Sequence, residues 1–195
     1  MRAIRSGFLQ MLVFMRRDMM LSAACLAPVL AGLGIRFGIP FLEDVLTERF
    51  SKSAVLSPYY ALIDIFFSML SPAMFCFISA MVSLEEADEK TAAYLFVTPL
   101  GRKGYLAARF CLPGAASFLV TVALLPVFGL SIRSLADILS LSAGGTLQGV
   151  IVALLIVTFS SNKLEGMAAA KLSSLLIFGA AVPFFLRQGT QYIMS

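Results

Sequence analysis

The sequence predicts an all-α, polytopic transmembrane helical bundle, and three observations carry that expectation. Of its 195 residues 59% are hydrophobic and 13% charged, about half the charged share of an ordinary soluble domain. Uncharged runs long enough to cross a bilayer recur along the whole chain. The runs are continuously apolar instead of alternating, which selects helices over a closed barrel, the two structures that satisfy every backbone amide in lipid. No Ser/Gly/Pro-rich linker divides them, so residues 1–195 read as one transmembrane domain.

In chain order, residues 1–18 come first. At about 100° per residue, Arg2, Arg5, Ser6, Gln10, Arg16 and Arg17 fall in one arc, and Ile4, Phe8, Met11, Leu12, Phe14 and Met15 in the other. That pattern predicts an amphipathic interfacial helix on the inner leaflet. A crossing needs about 20 apolar residues, since the hydrocarbon core is about 30 Å thick. Five runs fit: 19–35, resuming after Arg36; 65–84, extended outward through Tyr59 and Asp64; 110–132; 138–162; and 172–186. The fifth is short unless Lys171 lies along the helix with its amine at the headgroups. Pro28, Pro72, Pro113, Pro126 and Pro183 fall inside these runs, as bends that packing tolerates when a neighbour satisfies the carbonyl each proline frees.

Orientation follows from Lys and Arg in the short loops. One side carries Arg2, Arg5, Arg16, Arg17, Lys90, Arg102, Lys103, Arg109, Lys163 and Lys171; the other carries Arg36, Arg49, Lys52, Arg133 and Arg187. The richer side includes the N-terminus, which is therefore expected in the cytoplasm, with the C-terminus outside after five spans. The net charge of +4 is explained by this flanking of membrane segments, with no nucleic-acid partner. Cys25, Cys76 and Cys111 lie in apolar runs as small hydrophobes, not as a disulfide framework. Ser22-Ala23-Ala24-Cys25 is not a cleavage site, because Arg16, Arg17 and Asp18 stand where an apolar signal core belongs.

The outer segment 42–58 mixes charges as a loop without evident chemistry, and Tyr59, Tyr60 and Tyr105 mark span ends as interfacial anchors. The informative stretch is the inner loop, with a coupling segment at 83–104. Glu85, Glu86, Asp88 and Glu89 crowd just beyond the second span, where they are expected to face water or a partner. A short helix-compatible stretch, 91–97, follows, and then Thr98-Pro99-Leu100-Gly101, a breaker and turn ahead of Arg102 and Lys103. Such an element can dock a cytosolic protein. A second inner loop reads Ser161-Asn162-Lys163-Leu164-Glu165-Gly166.

The acidic run with Lys90-Thr91, Leu95, Thr98-Pro99-Leu100-Gly101-Arg102 and Tyr105 resembles the first cytoplasmic loop of ATP-binding cassette exporter permeases of the second type. The stretch from Asn162 through Lys163 and Glu165 to Gly166 resembles the Asn-Lys-x-Glu-Gly turn of the same permeases, and Arg17-Asp18 fits their amphipathic entry. The resemblance implies a permease that pairs with a second permease subunit, identical or related, and binds cytosolic ATPases carrying ATP and magnesium. It places a coupling helix on Glu85, Glu86, Glu89, Thr91, Leu95, Thr98, Pro99 and Arg102, with Asn162, Lys163, Glu165 and Gly166 as the second cytoplasmic loop. Such permeases usually have six spans, and five are read here.

No Gly-x-x-x-x-Gly-Lys-Ser/Thr loop is present, so ATP hydrolysis must come from a partner. The absence of histidine excludes His-based triads and His-ligated metals, and no enzyme constellation is found. Polar residues at membrane depth are Arg36, Asp64 and Gln148. Arg36 and Asp64 fall at similar depth on antiparallel spans and are expected to form a structural ion pair. Gln148 lies beside Gly145 and Gly149, whose four-residue spacing, repeated at Gly34 and Gly38, suits close helix packing, the subunit interface included, with an amide bonding across the contact in preference to a substrate-binding role. The expected function is the permease subunit of an exporter in a prokaryotic cytoplasmic membrane, moving a lipophilic substrate. The alternative is a membrane anchor that recruits a cytosolic partner without transport.

Overall fold

The apolar runs fold as helices, and no strand occurs among the residues described by the computed structural model, 19–50, 56–91, 101–131 and 134–179. Helix α1 (Met19–Leu33) passes through a π-helical turn, Gly34–Gly38, into α2 (Ile39–Phe50). A 3-10 turn, Ser57–Tyr59, opens α3 (Tyr60–Asp88). Helix α4 (Gly101–Leu106) passes through a second π turn, Ala107–Cys111, into α5 (Leu112–Phe128), and α6 (Leu135–Phe159) and α7 (Lys163–Phe178) follow.

Among the described residues three helical stretches are long and apolar enough to cross a membrane: Ser57–Asp88, Lys103–Phe128 and Leu135–Phe159. They coincide with the second, third and fourth expected crossings. The first expected run lies in α1 and its π turn, and the helix continues past Arg36, so that residues 42–50 of the expected outer loop are helical instead. Pro40 follows directly on the π turn, and no breaker comes after it before Phe50. The fifth run begins within α7, which starts at Lys163, well ahead of 172. Residues 1–18, expected as the interfacial helix, and residues 180–195 lie outside the described residues.

Helix α3 is central and touches α1, α5, α6 and α7. It lies beside α6 in the same direction, and glycine sets the closeness: a Cβ at Gly145 would stand 2.5 Å from the Ser68 carbonyl oxygen, and one at Gly149 2.8 Å from that of Pro72. The expected packing role of this pair is thus met within the chain. Pro72 has no N–H to give Ser68, so the carbonyl it leaves without a helical donor is the one Gly145 approaches. A Cβ at Gly34 or Gly38 would meet nothing within 4 Å among the described residues; the close approach on α1 is at Gly32, against the rings of Phe128 and Phe67. Those rings meet edge to face, 6.2 Å apart, in a cluster with Leu125 and Ile138.

A second cluster, including Cys76, Ile78, Met81, Val82, Leu84, Phe110, Ala153 and Ile156, fills the other half of the bundle. Here too a proline is compensated. Pro113 cannot donate to the carbonyl of Arg109, and the hydroxyl of Ser79 on α3 donates to it instead.

Candidate docking platform at the end of the central helix

The acidic end of α3 gathers the two motif-bearing segments. Ser79, Val82, Ser83 and Glu86 recur at helical spacing along the buried stripe of α3, so Glu86 points inward and is 6% exposed. Its carboxylate accepts from the Tyr105 hydroxyl at 2.9 Å and from Arg109 Nε at 3.1 Å. Arg109 Nη2 completes the ion pair, which gives the two-pronged geometry that suits guanidinium and carboxylate. Arg109 is 2% exposed, and its guanidinium lies 5.8 Å from the centre of the Tyr105 ring. The carbonyl of Glu86 accepts from the Thr91 hydroxyl at 3.1 Å.

Glu85, one residue earlier, turns toward α7. Lys163 Nζ lies 2.9 Å from Glu85 Oε2, and the backbone N–H of Lys163 donates to Asp88 Oδ2 at 3.0 Å. Asp88 thereby satisfies one of the free amides at the positive end of α7. Within the turn, Asn162 Oδ1 accepts from the Glu165 N–H at 2.9 Å while Glu165 Oε2 accepts from the Ser161 N–H at 2.7 Å, a reciprocal N-terminal cap. Gly166 completes the joint: a Cβ there would stand 2.3 Å from Leu84 Cδ1 and 2.9 Å from Met81 Cε.

The structure therefore brings Glu85, Glu86, Thr91, Asn162, Lys163, Glu165 and Gly166 to one end of the bundle. Glu89 is exposed beside them. Leu95, Thr98 and Pro99 lie outside the described residues, and Arg102 belongs to α4 with its side chain outside them too. Left-handed residues stand on both sides of segment 92–100, Lys90 at φ 58° and Gly101 at φ 60°.

Two expectations are corrected here. Glu86 does not face water with its acidic neighbours, because Arg109 and Tyr105 supply its hydrogen bonds inside the bundle. Tyr105 is correspondingly no interfacial anchor; it is buried, with its hydroxyl on Glu86. Arg109 and Ser79 join this candidate platform without having been given a site role from the sequence, and Tyr105, quoted in the motif, gains Glu86 as its partner. The signal for Glu86 was present in its spacing from Ser79 and Val82, while the partnership with Arg109 is long-range.

At the opposite end, Asp64 is fully buried, and its two oxygens accept from the N–H groups of Leu130 at 2.9 Å and Ser131 at 2.7 Å. The expected ion pair with Arg36 does not form. Backbone donors after the end of α5 take both carboxylate oxygens, and Arg36 is exposed on its π turn. Glu43 serves similarly, accepting from the Ser57 N–H at 3.1 Å and from the Tyr60 hydroxyl. Gln148 does not bond across the α3–α6 contact: its amide nitrogen and oxygen are buried without a hydrogen-bond partner among the described residues.

The sequence model described as fluoroquinolones export permease protein Rv2686c-like matches residues 11–195. The chain belongs to this family of export permeases. Two curated relatives, the fluoroquinolones export permease proteins MT2760 and Rv2686c of two Mycobacterium tuberculosis strains, are each 25% identical over 173 residues, covering 87% of this chain and 68% of theirs. No solved structure matches. Membership in the Rv2686c-like family makes the chain a membrane transport component, and it is consistent with the resemblance to exporter permeases of the second type.

Proposed function

We propose that this export permease is the membrane subunit of an ATP-driven exporter, one permease domain carrying amphipathic, lipophilic small molecules outward and powered by a separate ATP-binding cassette ATPase. The observation that carries the reading is the joint between Lys163 and the pair Glu85 and Asp88, which unites the two motif loops in one surface. The excess of Lys and Arg assigns that surface to the cytoplasm. ATP and magnesium belong to the partner, and a second permease subunit completes the assembly. The names of the M. tuberculosis relatives point to drug-like substrates of the fluoroquinolone kind.

Closure of the ATPases on segment 83–104 displaces the end of α3. Arg109 and Tyr105 carry the displacement to α5, and Lys163 carries it to α7. A docked helix shifts the balance of two states only by contacting them differently, and this surface offers contacts to three helices at once.

The test is co-purification with the ATPase and ATP-dependent drug uptake into inverted vesicles. Charged residues at Leu95 and Thr98 together should abolish coupling while the helices remain folded; normal coupled transport in that variant would sink the proposal. Tight ATPase binding without substrate movement would instead identify a recruiting anchor.

A further inference from the structure

Helices α3, α6 and α7 border a half-open groove of about 520 Å³, within the range that holds drug-sized molecules and well short of a whole phospholipid. Its wall is apolar and polarisable, with Met74 and Phe77 from α3 and Met167 from α7, a lining suited to a flat aromatic body. One side differs. Lys171, Ser173 and Ser174 of α7 line it together, two turns beyond Lys163, about 12 Å along the helix.

An ammonium at that depth requires water, a counter-charge or a path to the headgroups. Among the described residues no carboxylate lies within ion-pair distance of Lys171. The Ser174 hydroxyl is satisfied by its own helix, donating to the Lys171 carbonyl at 2.6 Å, so the polar character of this wall rests on the exposed Lys171 amine beside Ser173.

We propose that this groove binds a drug-sized amphipathic acid, with its apolar body against Met74, Phe77 and Met167 and its carboxylate at Lys171. The assignment rests on the exporter reading and gives it a substrate site. The cation selects the acid over neutral analogues, because a charge-assisted bond in a low-dielectric groove is stronger than the same bond in water.

The experiment titrates the full chain, in phosphatidylcholine nanodiscs, with a fluoroquinolone carboxylic acid and with its methyl ester, reading ligand fluorescence. The acid should bind saturably and more tightly than the ester. Lys171→Gln should weaken the acid about tenfold or more and leave the ester unchanged, which also shows that the variant is folded. Lys171→Arg should retain the acid, and Ala170→Phe, which fills the groove, should weaken both ligands. Equal binding of acid and ester, or an acid affinity indifferent to Lys171→Gln, overturns the assignment. So does a Lys171-dependent site for phosphatidylglycerol from which the acid is absent. Binding needs neither ATP nor the ATPase. A chain that binds the acid but never couples to an ATPase therefore refutes the exporter reading alone, whereas ATP-driven export indifferent to Lys171→Gln refutes the groove alone.

Discussion

Arg109 closes on the carboxylate of Glu86 from 23 residues away in the chain, with both side chains almost wholly enclosed. In lipid, where packing and internal bonds stand in for the hydrophobic effect between helices, this pair fastens α5 to α3. Removing one partner leaves a buried charge without compensation, at a cost of about 3–5 kcal/mol. Glu86→Gln and Arg109→Met should each lower thermal stability in detergent markedly. The double change Glu86→Leu with Arg109→Met should lower it less than either. A double variant that loses as much as the two single variants combined would deny the coupling.

Gly145 and Gly166 provide a comparison between two kinds of close contact. At Gly145 the added methyl meets a backbone carbonyl at 2.5 Å; at Gly166 it meets the end of the Leu84 side chain at 2.3 Å. The carbonyl is fixed by its helix, whereas a leucine can rotate. Gly145→Ala should therefore cost more than Gly166→Ala, although both overpack by about 1–3 kcal/mol. Melting temperatures of the two variants give the order directly.

Asp64 and Arg36 offer a test of what a buried carboxylate is for. With its oxygens on the N–H groups of Leu130 and Ser131, Asp64→Ala should cost about 1–3 kcal/mol through the amides left bare, and Arg36→Gln should leave stability unchanged. Equal losses in the two variants, measured by unfolding in denaturant, would restore the ion pair to consideration.

Lys163 separates folding from coupling. Its pair with Glu85 is partly exposed, with side chains 30% and 28% accessible, so Lys163→Ala should alter stability by less than about 1 kcal/mol. ATPase activity stimulated by transport substrate should nevertheless fall several-fold. Unchanged stimulation would remove Lys163 from the coupling surface.

The helical bundle was legible because lipid leaves the backbone few choices, and the long apolar runs from Ile65, Phe110 and Ile138 reveal it. The glycine pair at 145 and 149 was legible too, since four-residue spacing on a helix defines one face. The pair at 34 and 38 has the same spacing and packs against nothing among the described residues, because spacing records a face without its neighbour. Asp64 shows the same limit. Matching depth suggested Arg36, but the carboxylate was taken by backbone donors that no side-chain pattern announces. Glu86 was grouped with its acidic neighbours by composition, although its helical phase set it apart. The two motif segments meet at Lys163 through a long-range contact that only the fold supplies.

The proline at 113 has a mechanical consequence. By denying Arg109 its own helical donor, it exposes a carbonyl that Ser79 takes up, so the same arginine is riveted to α3 through its main chain as well as its side chain. Helices α3 and α5 must then travel together at that end, and α6 is zipped to α3 along its glycines. Helix α7 is held there by the Lys163 pair and by Gly166 seated against Leu84 and Met81, so a push on the acidic end of α3 reaches it through both kinds of contact.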